Sequence, residues 1–108
     1  MNSVKLIGNV GRDVNVIEFE NGKKATFSLA TNETYTNRNQ EEVTNTAWHN
    51  VVAWGKVAQQ CEQMLSKGKF IQVEGKLNYR EYQNKENQVV KITEIVAYKV
   101  EEGPKKAA

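Results

Sequence analysis

The sequence predicts a small all-β barrel carrying one helix, and three observations lead there. Apolar, often β-branched residues alternate with polar ones at period two over most of the chain. Turn signals separate these stretches, chiefly Asn21-Gly22 and the polar run Asn84-Lys85-Glu86-Asn87. Only Lys56 to Ser66 repeats its apolar residues at helical spacing. The chain has 108 residues, 39% of them hydrophobic and 26% charged, the make-up of an ordinary single domain with a modest core.

The first strand runs through Val4-Lys5-Leu6-Ile7-Gly8-Asn9-Val10, and Gly8 and Gly11 mark a bulge or tight bend in it. It resumes extended from Asn15 to Glu20 and turns at Asn21-Gly22, where both residues tolerate positive φ. Lys24 to Asn32 sets Ala25, Phe27 and Leu29 on a core face against Thr26, Ser28 and Ala30 on a half-exposed one. Glu33 to Asn45 is polar and reads as a long hairpin loop with Tyr35 near its start. The strand that follows, Thr46 to Gly55, holds both tryptophans and the single histidine. Alternation puts Trp48, Asn50, Val52 and Trp54 on one of its faces, with Ala47, His49, Val51 and Ala53 on the other.

The helix spans Lys56 to Ser66, with Val57, Cys61, Met64 and Leu65 as its apolar stripe and Gly68 placed to cap it with positive φ. From Phe70 to Tyr82, Ile71, Val73, Gly75 and Leu77 point inward, and Gln72, Glu74 and Lys76 outward. Gln88 to Val100 is the last strand. Residues 101–108 offer no core side chains and read as a short flexible tail behind a single domain of residues 1–100. Five mostly antiparallel strands and one helix point to a Greek-key barrel of the OB type, an architecture that often binds oligonucleotides. An unrelated five-stranded sheet stays open on pattern alone.

Composition narrows the chemistry. With Cys61 and His49 each the only residue of its kind, neither a disulfide framework nor a Cys/His zinc site is available. Cys61 falls on the helix stripe and reads as core. The N-terminus has no signal-peptide run, and apolar runs such as Val51 to Trp54 are far too short to span a bilayer. The 13 acidic residues are scattered, so no carboxylate cluster for metal-assisted cleavage can be drawn. No catalytic residue, cofactor or metal is expected. A net charge of +2 points only weakly to an anionic partner.

Two tryptophans in a small barrel can simply be core. Two rings on one strand face can equally offer surfaces to a stacked planar ligand such as a nucleobase, and the pattern allows both readings. Lys5, Arg12, Lys56, Lys67, Lys69, Lys76, Arg80 and Lys91 are candidate phosphate contacts, although exposed lysine ordinarily just solvates a face.

Four motifs occur in order: Leu6-Ile7-Gly8-Asn9-Val10-Gly11-Arg12-Asp13, Phe27-Ser28-Leu29-Ala30-Thr31, Trp48-His49-Asn50-Val51-Val52-Ala53-Trp54-Gly55-Lys56 and Val73-Glu74-Gly75-Lys76-Leu77. In them the chain resembles the bacterial single-stranded DNA-binding protein family, roughly from Ser3 to Val100. The resemblance implies a homotetrameric OB barrel that wraps single-stranded DNA without sequence recognition, protects it during replication, recombination and repair, and has no enzymatic activity. It implies base stacking at Trp48 and Trp54 and further stacking at Tyr35 and Tyr82, where some members have tryptophan. It makes Arg12, Lys56 and Arg80 the favoured phosphate contacts, since each adjoins a matched motif or a candidate ring. It moves His49 from the groove to a subunit contact, and places the protein in the cytoplasm on the nucleoid, with no membrane partner. Tyr79 and Tyr98 read as packing residues. Typical members end in an acidic, hydrophobic tip that recruits other proteins; this chain ends Lys105-Lys106-Ala107-Ala108, so such recruitment is not expected from it. An RNA-binding OB module, an OB-fold nuclease and a purely structural subunit are the competing readings.

Overall fold

Period-two alternation becomes six strand segments, and the helical stripe becomes one helix. They are β1 (Val4–Val10), β2 (Asn15–Phe19), β3 (Gly22–Thr36), β4 (Glu42–Trp54), α1 (Gly55–Met64), β5 (Phe70–Gln83) and β6 (Val89–Glu102). The structure is a computed structural model and describes residues 1–11 and 14–104.

The strands follow the order β1-β5-β6-β4-β3, and β1 pairs back onto β3 through Asn9 with Ala30 and Val10 with Leu29. Five strands therefore close on themselves as the OB barrel that the pattern predicts. β2 pairs only with β3, so the bent first strand is split into a barrel half and an outer half. The β4–β6 contact, Val51 with Ile95 to Ala53 with Ala97, is the one parallel pairing among the described strands. Closure depends on Gly8: a Cβ there would collide with the backbone carbonyl of Ala30.

Leu29, Ile71, Val10, Val51, Val73 and Val100 fill the barrel, and α1 packs Ala58 and Cys61 against it. Burial pushes the Cys61 thiol up to about 11. It stays protonated at neutral pH and is a poor nucleophile, in keeping with a core role.

The structure departs from the sequence reading in several places. Ser28 and Ala30, expected on a half-exposed face, are buried. Glu33 to Asn45 is not a long loop: β3 runs to Thr36 and β4 starts at Glu42, leaving a turn at 37–41. The ribbon is held by polar pairs. Thr46 Oγ1 donates to Asn32 Oδ1 at 2.7 Å, and the hydroxyls of Thr34 and Thr44 meet at 3.2 Å. At its tip, Asn37 Oδ1 accepts from the N–H groups of Asn39 and Glu41, both at 2.9 Å, while Gln40 takes φ 61°. Gly68 does not cap the helix. Leu65 is the extended C-cap, and Gly68, at φ 86°, serves the turn into β5 and donates to the Val10 carbonyl at 2.7 Å.

Leu77 is not buried in the core: it lies beyond the last β1–β5 pair, Val4 with Gly75, where the β5–β6 hairpin leaves the barrel, and it is exposed. Tyr79, on that same projecting stretch, is 71% exposed rather than packed. Tyr98 is 57% exposed for a different reason: it is the extra residue where Glu74 pairs with Lys99 and Gly75 with Ala97. A bulge of this kind turns consecutive residues outward. Finally, β6 continues to Glu102, which pairs with Ile71, and Gly103 donates to the Phe70 carbonyl at 2.9 Å. Ladder pairing uses the backbone, so the lack of core side chains did not end the strand at Val100.

Candidate nucleic-acid interface

Residues opposed in an antiparallel pair send their side chains to the same face. The β3–β4 register opposes Lys24 to Trp54, Thr26 to Val52, Ser28 to Asn50 and Ala30 to Trp48. The β2–β3 register adds Asn15 opposite Thr26 and Ile17 opposite Lys24. One face thus carries both tryptophans, 64% and 50% exposed, around a floor in which Val52 is buried and Asn50 exposed. The other face of β4 sends Val51 and Ala53 into the core. The two faces of this strand do different work.

Trp48 depends on a residue distant in sequence. A Cβ on Gly11 would collide with the outer edge of the Trp48 indole, and the Gly11 N–H donates to the Ser28 carbonyl at 2.8 Å. Gly11→Ala is therefore expected to turn the indole away while the fold persists, because the displaced group is the end of an exposed side chain. Affinity for oligo-dT should fall at least about fivefold, the low end of one base–aromatic stack. Anisotropy with a labelled oligonucleotide reads the loss, and circular dichroism checks the fold.

The β5–β6 hairpin bends toward this face. Thr26, Asn50 and Val52 from one side and Arg80, Ile92 and Glu94 from the other line a groove of about 300 Å³. Arg80 pairs with Ile92, Asn78 with Glu94 and Tyr82 with Val90. Tyr82, half-exposed, accordingly shares the groove-lining face of the hairpin. Tyr35 does not join this face: it is opposed to Val43, and its parity puts it on the reverse side of the β3–β4 ribbon from Trp48.

The basic candidates separate by their partners. Glu94, 8% exposed, takes Arg80 Nε at 3.3 Å and accepts from Asn78 Nδ2 at 3.1 Å. The guanidinium is thereby held at the groove, with part of its charge offset. Lys5 pairs with Glu74 at 3.9 Å, Lys91 with Glu81 at 3.9 Å and Lys69 with Glu102 at 3.4 Å. Exposed pairs of this kind are weak and screened by salt. Lys56 and Lys76 are exposed, with no carboxylate in ion-pair range among the described residues. Lys56 lies next but one to Trp54, and Lys76 shares strand parity with Arg80 and Tyr82. Lys67 is exposed in the turn before β5. Arg12 lies outside the described residues.

His49 is half-buried, with Nε2 2.9 Å from the Thr31 hydroxyl, and borders a second cavity of about 170 Å³ with Trp48, Leu77 and Ile95. Among the described residues no group of three His, Cys, Asp or Glu side chains is placed to hold a metal. No helix there is long and apolar enough to cross a membrane.

Two residues absent from the sequence reading also belong to this face. Phe19 stacks on Trp54 with ring centroids 6.2 Å apart and planes 21° apart, and the Lys24 ammonium sits 5.2 Å from the centre of the Trp54 ring. The turn falls at Glu20-Asn21, one residue before the expected Asn21-Gly22; it sets Phe19 opposite Gly22 and Ile17 opposite Lys24, and so brings β2 beside Trp54.

A closed five-stranded barrel with exposed aromatic rings on one face and a groove-forming hairpin beside it is of the OB-fold class. A sequence model described as the single-strand binding protein family matches residues 1–102. The chain belongs to that family. It is 41% identical over 87 residues to a single-stranded DNA-binding protein of Neisseria meningitidis, an alignment covering 80% of this chain and 50% of that protein. With single-stranded DNA-binding protein 1 of Chlorobaculum tepidum it shares 39% identity over 98 residues, covering 89% of this chain and 60% of the relative. The chain thus spans about half to three-fifths of these curated relatives. Among solved structures, the Plasmodium falciparum SSB in complex with ssDNA superposes with a TM-score of 0.83 at 35% identity, over 94% of this chain and 91% of that one. A small single-stranded DNA-binding protein from Streptomyces coelicolor, at 24% identity and a TM-score of 0.75 over 93% of this chain and 92% of that one, shares the fold.

Proposed function

We propose that the chain binds single-stranded DNA without reading its sequence, protects it during replication, recombination and repair, and catalyses no reaction. The observation that carries this reading is the single face on which Trp48 and Trp54 stand half-exposed or more around a polar floor. Every base has a π-face, so stacking on rings is tolerant of sequence. Tyr82 extends the platform along the hairpin, and Tyr35 offers a ring on the reverse side of the ribbon for a strand that wraps. Lys56, Lys76 and Arg80 supply phosphate contacts beside the rings, and Arg12 is assigned to the same task from its motif. Lys5, Lys67, Lys69 and Lys91 serve as weaker contacts along the path. Assembly as a homotetramer, with His49 near a subunit contact, completes the reading; the native mass tests it.

The electrostatic part is tested by titrating oligo-dT at several salt concentrations. Log affinity should fall linearly with log salt at about −0.7 per phosphate neutralised, and replacing both Lys56 and Lys76 by alanine should flatten the slope by about 1.4. A salt-independent affinity would contradict it. Weaker binding of oligo-U than oligo-dT under the same conditions supports DNA as the partner.

A further inference from the structure

We infer that Phe19 is a further base-stacking residue, which with Lys24 carries the bound strand from Trp54 outward over β2. The inference rests on the single-strand binding proposed above.

Trp54 is not a bare platform. Phe19 is stacked on its ring, and the Lys24 ammonium lies over it. The stack is offset, and Phe19 is still 51% exposed, so it keeps a water-facing side beyond its contact with Trp54. A base laid on that side continues the series Trp54, Phe19, base without parting the existing pair. The location favours this occupant. Ile17 and Phe19 share strand parity on β2, and Ile17, Lys24 and Trp54 form one row across β2, β3 and β4, so the surface is continuous with the tryptophan face.

Charge agrees. Lys23 is committed to Glu62 at 2.9 Å and Glu18 at 3.4 Å, whereas Lys24 has no carboxylate in ion-pair range among the described residues. Its contact with the ring uses none of its three N–H donors. They are available to a phosphate oxygen between one base on Trp48 or Trp54 and the next on Phe19.

A merely structural Phe19 would act by holding Trp54 in place, and a double-mutant cycle separates the two roles. Affinity for labelled oligo-dT is measured for the parent, F19A, W54A and F19A/W54A, with F19L as a variant that keeps apolar bulk and F19Y as one that keeps the ring. The inference expects F19A and F19L to weaken binding at least about fivefold in both the parent and the W54A background, the low end of one base–aromatic stack. It expects F19Y to bind as the parent does, and K24A to flatten the salt slope by about 0.7. Equal affinity of W54A and F19A/W54A overturns it, as does full activity of F19L. A parent that does not bind oligo-dT overturns the proposed function itself, which keeps the two failures distinct.

Discussion

Replacing Trp48 and Trp54 together by alanine should lower affinity for oligo-dT by about 30-fold to 20,000-fold, and leave the protein folded. Each base–aromatic stack is worth about 1–3 kcal/mol, so the two single variants should lose about 5- to 150-fold apiece. The rings stand half or more in water, and neither belongs to the buried cluster. Val52 between them, and Val51 and Ala53 behind them, keep the strand anchored. The double variant lacks intrinsic tryptophan fluorescence, so binding is read by anisotropy of a labelled oligonucleotide, and folding by circular dichroism. An unfolded variant, or one with parental affinity, would show that the rings are structural.

Leu29→Ala should destabilise the barrel by about 2–5 kcal/mol, the usual cost of removing a fully buried leucine side chain and leaving a cavity. Leu29 has no exposed surface and pairs with Val10 in the closure and with His49 across to β4. The expected signature is a lower urea midpoint at an unchanged slope, since the folded state stays compact. DNA binding should fall in proportion to the unfolded fraction and recover at low denaturant and low temperature. That contrasts with the tryptophan variants, where stability stays and affinity goes.

These two variants also mark what was legible in the sequence. Leu29 and Trp48 lie on opposite faces of their strands; period two put Leu29 in the core and Trp48 on the face away from Val51 and Ala53, and the pattern alone allowed that tryptophan face to be covered or open. The helix was legible through its own 3.6-residue spacing: of the expected stripe Cys61 is fully buried and Val57 and Met64 pack partly, while Ala58, outside that stripe, is fully buried as well. The ribbon from Glu33 to Asn45 was not. Its strands are mostly polar, with too few apolar residues to show an alternation, and Thr34, Thr44, Asn32 and Thr46 hold it by side-chain hydrogen bonds that a hydrophobic pattern does not register. Misreading it as a loop hid the parity that sends Tyr35 to the reverse face. Tyr79 and Leu77 were assigned inward because alternation continues beyond Gly75, where β5 loses its pairing with β1 and both side chains are left exposed. Tyr98 was lost to a one-residue bulge, which no periodicity reveals.

Within the candidate interface, the rings and basic side chains could be named from the sequence, but their partners could not. Arg80 stands out in sequence beside Tyr82; its tie to the buried Glu94 comes from pairing across β5 and β6. Phe19 was read only as part of the extended stretch from Asn15 to Glu20, and the register through the Glu20-Asn21 turn and β3 brings it onto Trp54.

The central claim is that a single strand of DNA stacks on the tryptophan face. Its most direct test follows intrinsic tryptophan fluorescence as the parent protein is titrated with oligo-dT of increasing length, beside a native mass of the complex. The account predicts strong quenching whose extent grows with length and then levels off, on a tetramer. Binding that leaves the tryptophan emission unchanged would contradict it.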